Sequence, residues 1–161
     1  MATCGYKTRP QEGRNGVRTL IREAEGRDQE QLSRLYRMLV PNSKKMNVQA
    51  EQIGKIRTDP MNFIFVYEEQ GELLGSLTLN ICMQALHGEQ PYAIVENVIV
   101  HEDHRSKNIG QQLFRHVEEY CNSIHCHRIM LLSKATRIRA HRFFEREGYD
   151  GQVSKGFKKY L

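Results

Sequence analysis

The chain has 161 residues, four cysteines and a formal net charge of +5 at pH 7, enough for one domain with a real hydrophobic core and no need of metal or disulfide staples. No apolar run reaches the length of a membrane span and the N-terminus lacks an apolar signal core, so neither a span nor a secretory leader is expected. The positive excess reads as a solvated surface plus a patch for a phosphate-rich ligand; no zinc finger or aromatic-interleaved RNA motif speaks for nucleic acid.

Residues 1–16 are polar, glycine-rich and aperiodic, which predicts a flexible arm ahead of a single domain over 17–161. Residues 17–25 alternate loosely and read as a first strand. Asp28-Gln29-Glu30-Gln31 matches a capping box, with Asp28 at the N-cap and Gln31 reaching back. The helix that follows carries Leu32, Leu35, Tyr36 and Leu39 on one core-facing stripe, and Pro41 ends it. Residues 41–46, with Lys44 and Lys45, form a polar connection. A weaker helix over 47–57 turns Ile53 and Ile56 inward.

Residues 63–67 are a strand, 68–71 a turn and 72–83 a second strand, together an antiparallel hairpin. A loop over 85–91 leads into the strand 95–100, apolar apart from Glu96 and Asn97. His101 to Asp103 break that run. Arg105-Ser106-Lys107-Asn108-Ile109-Gly110 then enters a helix with Ile109, Leu113, Val117, Tyr120, Cys121 and Ile124 spaced by three or four. A cationic loop of small residues at a helix N-terminus is an anion site, because free N–H groups and the positive dipole end point at the guest, and phosphate is the usual one.

Residues 128–132 are a short strand, joined by a right-handed crossover and parallel to the 95–100 strand. Ala140, Phe143 and Phe144 make the apolar stripe of a last helix that Gly148 closes in a left-handed cap. Residues 153–161 supply one or two final strands. The sum is an α/β sandwich with a mixed sheet. The cysteines (Cys4, Cys82, Cys121, Cys126) show no CxxC spacing, so free thiols in a reducing cytosol are expected, and His125-Cys126-His127 beside Cys121 fits no closed zinc pattern.

Two segments resemble the signatures of one family. Arg105-x-x-x-x-Gly110 after an apolar strand is similar to the acetyl-CoA-binding motif of the GNAT N-acetyltransferases, Arg/Gln-x-x-Gly-x-Gly/Ala, with Asn108 in place of the first glycine. Asparagine tolerates left-handed backbone angles better than other non-glycine residues, so the loop still forms. The segment A-H-R-F-F-E-R-E-G-Y over 140–149 resembles the second signature, Ala-x-x-Phe-Tyr-Glu-x-x-Gly-Phe/Tyr, and the closing S-K-G-F-K-K-Y-L resembles common family C-termini. The resemblance covers 17–161 and implies the α/β GNAT fold, a mixed, mostly antiparallel central sheet flanked by helices in the order β-α-α-β-β-β-α-β-α-β-β.

It also implies transfer of an acetyl group from acetyl-CoA to a primary amine of a small molecule or peptide by direct attack, with no metal. Pantetheine would lie in a splay between the 95–100 and 128–132 strands and bond main-chain groups at Val98, Ile99 and Val100. The pyrophosphate would rest on Arg105, Ser106, Lys107, Asn108, Ile109 and Gly110, with charge from Arg105 and Lys107, a contact from Gln111, and Phe144 also at the cofactor. Glu96 is the candidate base: a carboxylate in an apolar strand must face a cavity or find a partner, and partial burial would raise its pKa toward a useful range. The plain alternative is a structural glutamate paired with an arginine. Asn97 is expected on the opposite face.

Many relatives place a tyrosine at the position of Phe144, and Arg137 stands where an asparagine is common. No general acid carries over, and the thiolate would take its proton from solvent. Asn108, Arg137 and Phe144 together motivate the alternative of a non-catalytic acyl-CoA-binding module. A nucleic-acid-associated protein is motivated by charge alone. The acceptor would be set by 41–48, 83–92 and the closing strands. The expected setting is cytoplasmic, with no nucleic-acid or membrane partner and a homodimer by family analogy.

Overall fold

The computed structural model describes residues 11–12 and 18–161, with side chains from Leu20 onward. Contacts divide the chain into Met1–Met130 and Leu131–Leu161. The expected arm and Cys4 lie outside the described residues, except Gln11–Glu12. That pair is a short strand β1, in register with Thr19 and Arg18 of β2 (Arg18–Glu23).

In the first unit there follow α1 (Gln29–Leu39), α2 (Ala50–Thr58), β3 (Asn62–Glu69), β4 (Glu72–Cys82), β5 (Tyr92–Val100), α3 (Ile109–Ser123) and the start of β6 (Ile129–Leu131). The sheet order is β1-β2-β3-β4-β5-β6, and every pair from β1 to β5 is antiparallel. His127 N donates to Pro91 O at 2.7 Å and Ala93 N to Arg128 O at 2.9 Å. Partner numbers rise together along both segments, so β6 enters parallel to β5 and the sheet is mixed, as expected.

Two faces are covered. Ile64, Val66, Leu73 and Ile99 meet Leu32, Leu35 and Ile53 on the side of α1 and α2. Phe65 meets His116 edge-on at 4.7 Å and Phe63 meets Tyr120 at 5.0 Å on the side of α3. Strand β3 therefore buries both faces, which is why its sequence is a continuous apolar run rather than an alternation. The β3–β4 hairpin turns at Gln70 (φ 52°) and Gly71 (φ 87°), the two positive angles that a tight hairpin turn requires.

The capping box expected of Asp28 and Gln31 is not formed. Asp28 is the N-cap residue of α1, as expected, but makes no side-chain cap bond there; it also ends a short 3-10 turn (Gly26–Asp28) whose N-cap is Glu25, and it accepts from Glu25 N at 2.7 Å. Its carboxylate also takes two bonds from Arg22, at 2.7 and 2.9 Å, and Arg22 Nε donates to Glu68 at 2.8 Å. A buried guanidinium needs buried anions, and that need overrides the local cap. Gln31 instead bridges Gly71 O and Leu73 N at the β3–β4 turn. As expected, α1 stops at Leu39, before Pro41.

In the second unit, α4 (Ile138–Arg146) ends as the sequence predicts. Gly148 has φ 89°, its N–H donates to Glu145 O, and Tyr149 N donates to Phe144 O, the paired bonds of a Schellman cap. The expected closing strands over 153–161 do not form: residues 147–161 contain no strand, and Val153, Phe157 and Tyr160 are exposed. Gly151, Gly156, Lys155, Lys158 and Lys159 give this stretch little strand preference of its own, and a strand persists only where a ladder partner holds it.

Candidate active site

The β4–β5 ladder slips at the middle of β5. Thr78 pairs with Glu96 but Ser76 pairs with Ile99, so Leu77 faces two residues, Asn97 and Val98. That is a β-bulge, which bends its strand and leaves main-chain groups outside the ladder. Asn97 takes φ 53°, and its side-chain N–H donates to Thr78 Oγ1 at 3.3 Å. The expectation that Asn97 faces away from Glu96 is therefore corrected. The extra residue rotates the chain so that Asn97 reaches the cross-strand partner of Glu96. Glu96 is exposed and forms no ion pair among the described residues, so neither the expected partial burial nor the arginine-paired alternative is found.

Beyond Val100, a 3-10 turn (Glu102–His104) leads into the loop that sequence marks as an anion site. Asn108 is left-handed, with φ 61° and ψ 12°, as its place in the motif predicts; Ser106 is left-handed as well, with φ 67°. Left-handed residues on either side of Lys107 curl the backbone into a concavity of N–H groups. The first bond of α3 runs from Gln112 N to Asn108 O at 3.0 Å, so the amides of Ile109, Gly110 and Gln111 have no acceptor within the helix. The first turn carries no acidic side chain. Arg105, Ser106, Lys107, Asn108 and Gln111 are exposed beside these amides. The arrangement offers converging donors, a helix dipole and two cations to a diphosphate.

Ile109 is buried, and it anchors the loop to the sheet. A Cβ on Gly75 would lie 2.9 Å from Ile109 Cγ2, 3.1 Å from Leu113 Cδ1 and 3.3 Å from Ile99 O. Only glycine lets the start of α3 sit this close to β4, a requirement that sequence reading did not find. Gly75→Val is expected to cost about 1–3 kcal/mol of stability by overpacking and to weaken acetyl-CoA binding, because Ile109 carries the amide cradle with it. Thermal unfolding and calorimetric titration check this, with Gly54→Ala as the control: nothing lies within 4 Å of a Cβ there, and that change should stabilise α2.

Val98, Ile99 and Val100 join the bulge to the loop. Ile99 packs into the α1 core and Val100 pairs with Gly75. The three residues of β6 cannot pair with all nine of β5, so the far edge of β5 toward Val100 has no ladder partner among the described residues. In the second unit, Phe144 is buried on α4 with its ring edge-on to Phe143 at 5.5 Å, and Arg137 is the exposed N-cap of that helix. No group of three metal-capable side chains exists among the described residues. Of the cysteines considered for a metal, Cys121 is buried, and burial, with Cys126 nearby, pushes its thiol up to about 12. The His127 ring is stacked on His87 at 4.0 Å.

Comparison with known proteins bears on this site. Residues 16–149 match the model of the acetyltransferase (GNAT) family. A stretch of 96 residues is 28% identical to the uncharacterised protein YdhI of Bacillus subtilis (strain 168), covering 60% of this chain and 54% of that one, about half the length of the relative. A provisionally assigned acetyltransferase from Agrobacterium tumefaciens str. C58 superposes with a TM-score of 0.80 at 29% identity, over 88% of this chain and 99% of that chain. The glucosamine-6-phosphate N-acetyltransferase of Arabidopsis thaliana shares the fold, with a TM-score of 0.76 at 22% identity over 89% and 98% of the two chains.

Proposed function

Because this chain belongs to the GNAT acetyltransferase family, we propose that it moves an acetyl group from acetyl-CoA to a primary amine of a small molecule or peptide. The observation that carries this reading is the row of unbonded amides at the start of α3, seated one strand-end away from a bulge that bears a free carboxylate. The amides of 106–111 hold the pyrophosphate, with Arg105 and Lys107 adding charge. The open edge of β5 at Val98 to Val100 takes the pantetheine amides as an added strand would. Bound there, the cosubstrate supplies an activated thioester carbonyl.

The chain's own residues do the rest. A main-chain N–H released from the ladder at Asn97 or Val98 polarises the carbonyl oxygen. Glu96 takes the proton that the attacking amine must lose. The departing thiolate takes its proton from solvent; a thiol is acidic enough for that. Cys82, Cys121 and Cys126 are free thiols, in keeping with a reducing, cytoplasmic setting. No helix among the described residues is long and apolar enough to cross a membrane.

Calorimetric titration with acetyl-CoA, followed by thiol release against a broad panel of amines, tests the reading. Saturable binding in the range of about 1 μM to 1 mM and thiol release that needs both substrates are expected. Binding with no release for any amine would instead mark a non-catalytic acyl-CoA-binding module, and no binding at all would remove the cofactor site.

A further inference from the structure

Strands β4 and β5 turn two different faces outward. Leu77, Leu79, Val95 and Ala93 alternate onto the side of α3 and are all buried. On the other side Thr78 pairs with Glu96 and Asn80 with Ile94, Tyr92 follows Ile94 on β5, and β3 adds Asn62 opposite Asn80. Glu96 is exposed and the others are half-buried. Helices α1 and α2 cover this side at Ile64, Val66 and Ile99, so a strip of the sheet lies open beyond them. A sheet face meant for the core would be apolar. Two amides and a hydroxyl there offer donors and acceptors to a guest with polar groups along its length.

The two ends of the strip carry opposite charge. Glu96 stands at one end. At the other, the Arg128 guanidinium carbon lies 4.8 Å from the centre of the Tyr92 ring, Nη1 is 3.2 Å from His127 Nδ1 and Nε is 3.4 Å from Met130 Sδ. Arginine only donates, so His127 Nδ1 is the acceptor. Three neighbours thus orient the guanidinium, and none of them brings a negative charge. Arg128 forms no ion pair and Nη2 no hydrogen bond among the described residues. An oriented guanidinium with no counter-ion suits a carboxylate or a phosphate. Tyr92 is four residues from Glu96 on the regular part of β5, about 13 Å along the strand.

We propose that this strip seats the acceptor lengthwise, its amine at Glu96 and an acidic group, a carboxylate or a phosphate, at Arg128. The proposal rests on the acetyltransfer reading above and names its acceptor class, an elongated amine that ends in an acid. Charge sets the direction as well as the grip, because Arg128 repels an ammonium and Glu96 repels an acid.

Alanine peptides of two to four residues, each with a free C-terminal carboxylate or a C-terminal amide, test it through thiol release. Four extended residues span about 13 Å and two only about 7 Å. For the tetrapeptide, the acid is expected to show a KM about tenfold below that of the amide, with kcat within about twofold, since binding far from the reacting atoms is uniform. The dipeptides should show no such preference. Arg128→Gln should erase the preference while the melting temperature holds, because the side chain is exposed. The same tetrapeptide ending in an aminoethyl phosphate shows which acid the site grips more tightly. Equal KM for acid and amide at every length, or a preference that survives Arg128→Gln, would overturn the proposal. The Arg128 Nε–H resonance gives a readout independent of turnover, and it should move with the acid tetrapeptide and not with the amide. If it moves and no amine is acetylated, the acid site stands and the acetyltransfer reading fails. If amines are acetylated and it stays still, the reverse holds.

Discussion

Glu96→Gln is expected to lower kcat by about two orders of magnitude or more, the usual contribution of a positioned base, while acetyl-CoA affinity stays within about twofold. The change keeps size and polarity and removes only the ability to take a proton. Glu96 is exposed, makes no ion pair among the described residues, and stands opposite Thr78 on the strand that the bulge bends. Replacing it therefore breaks no structural contact, and the melting temperature should hold. Turnover in the variant should keep rising with pH as free amine becomes available, since no side chain then collects the proton. Steady-state kinetics against pH, with the best amine from the panel, decide the matter. Undiminished kcat would transfer the role of base to solvent without touching the cofactor site.

How far the sequence reaches differs from one part of the site to the next, and the reason is physical. Asn108 and Gly148 were legible because a left-handed backbone selects its residues locally, and each sits where the chain must turn into or out of a helix. Ser106 adopts the same conformation with a residue type that does not announce it. The bulge at Asn97 is a relation between two strands: β5 alone reads as an apolar run with two polar residues in it, and only the pairing with β4 shows that one residue is extra. Gly75 is silent for the same reason, since the side chains that forbid a Cβ belong to α3. The one or two closing strands expected over 153–161 do not form, because the lysines and glycines there do not sustain a strand without a ladder partner. Element type and order along the core were thus readable where burial sets a period. Contacts between distant elements were not.

The buried ion network at Arg22 is another such distant contact, and Arg22→Ala is expected to destabilise the fold by about 3–5 kcal/mol, the cost of leaving a buried charge without its partner. The Arg22 and Asp28 side chains are 12% and 4% exposed and lie 2.7 Å apart, which separates them from surface pairs such as Arg115–Glu119 at 80% and 53%. Arg22 ties β2 to the turn before α1 and, through Glu68, to β3, so its loss strikes three elements at once. Arg22→Lys should recover only part of the deficit, because an ammonium cannot reproduce the two-pronged bond to Asp28. Acid should narrow the gap between wild type and Arg22→Ala. Burial alone would raise the Asp28 carboxyl, but the bonds from Arg22 and Glu25 N outweigh it and hold the group below the ordinary value. With its folded pKa depressed, Asp28 contributes its full stabilisation above the unfolded value of about 3.9 and loses it as pH falls through the folded one. Denaturant unfolding of both proteins at neutral pH and at about pH 3, below that reference, measures the difference directly. A gap that stays constant across this range would mean that Asp28 draws nothing from Arg22.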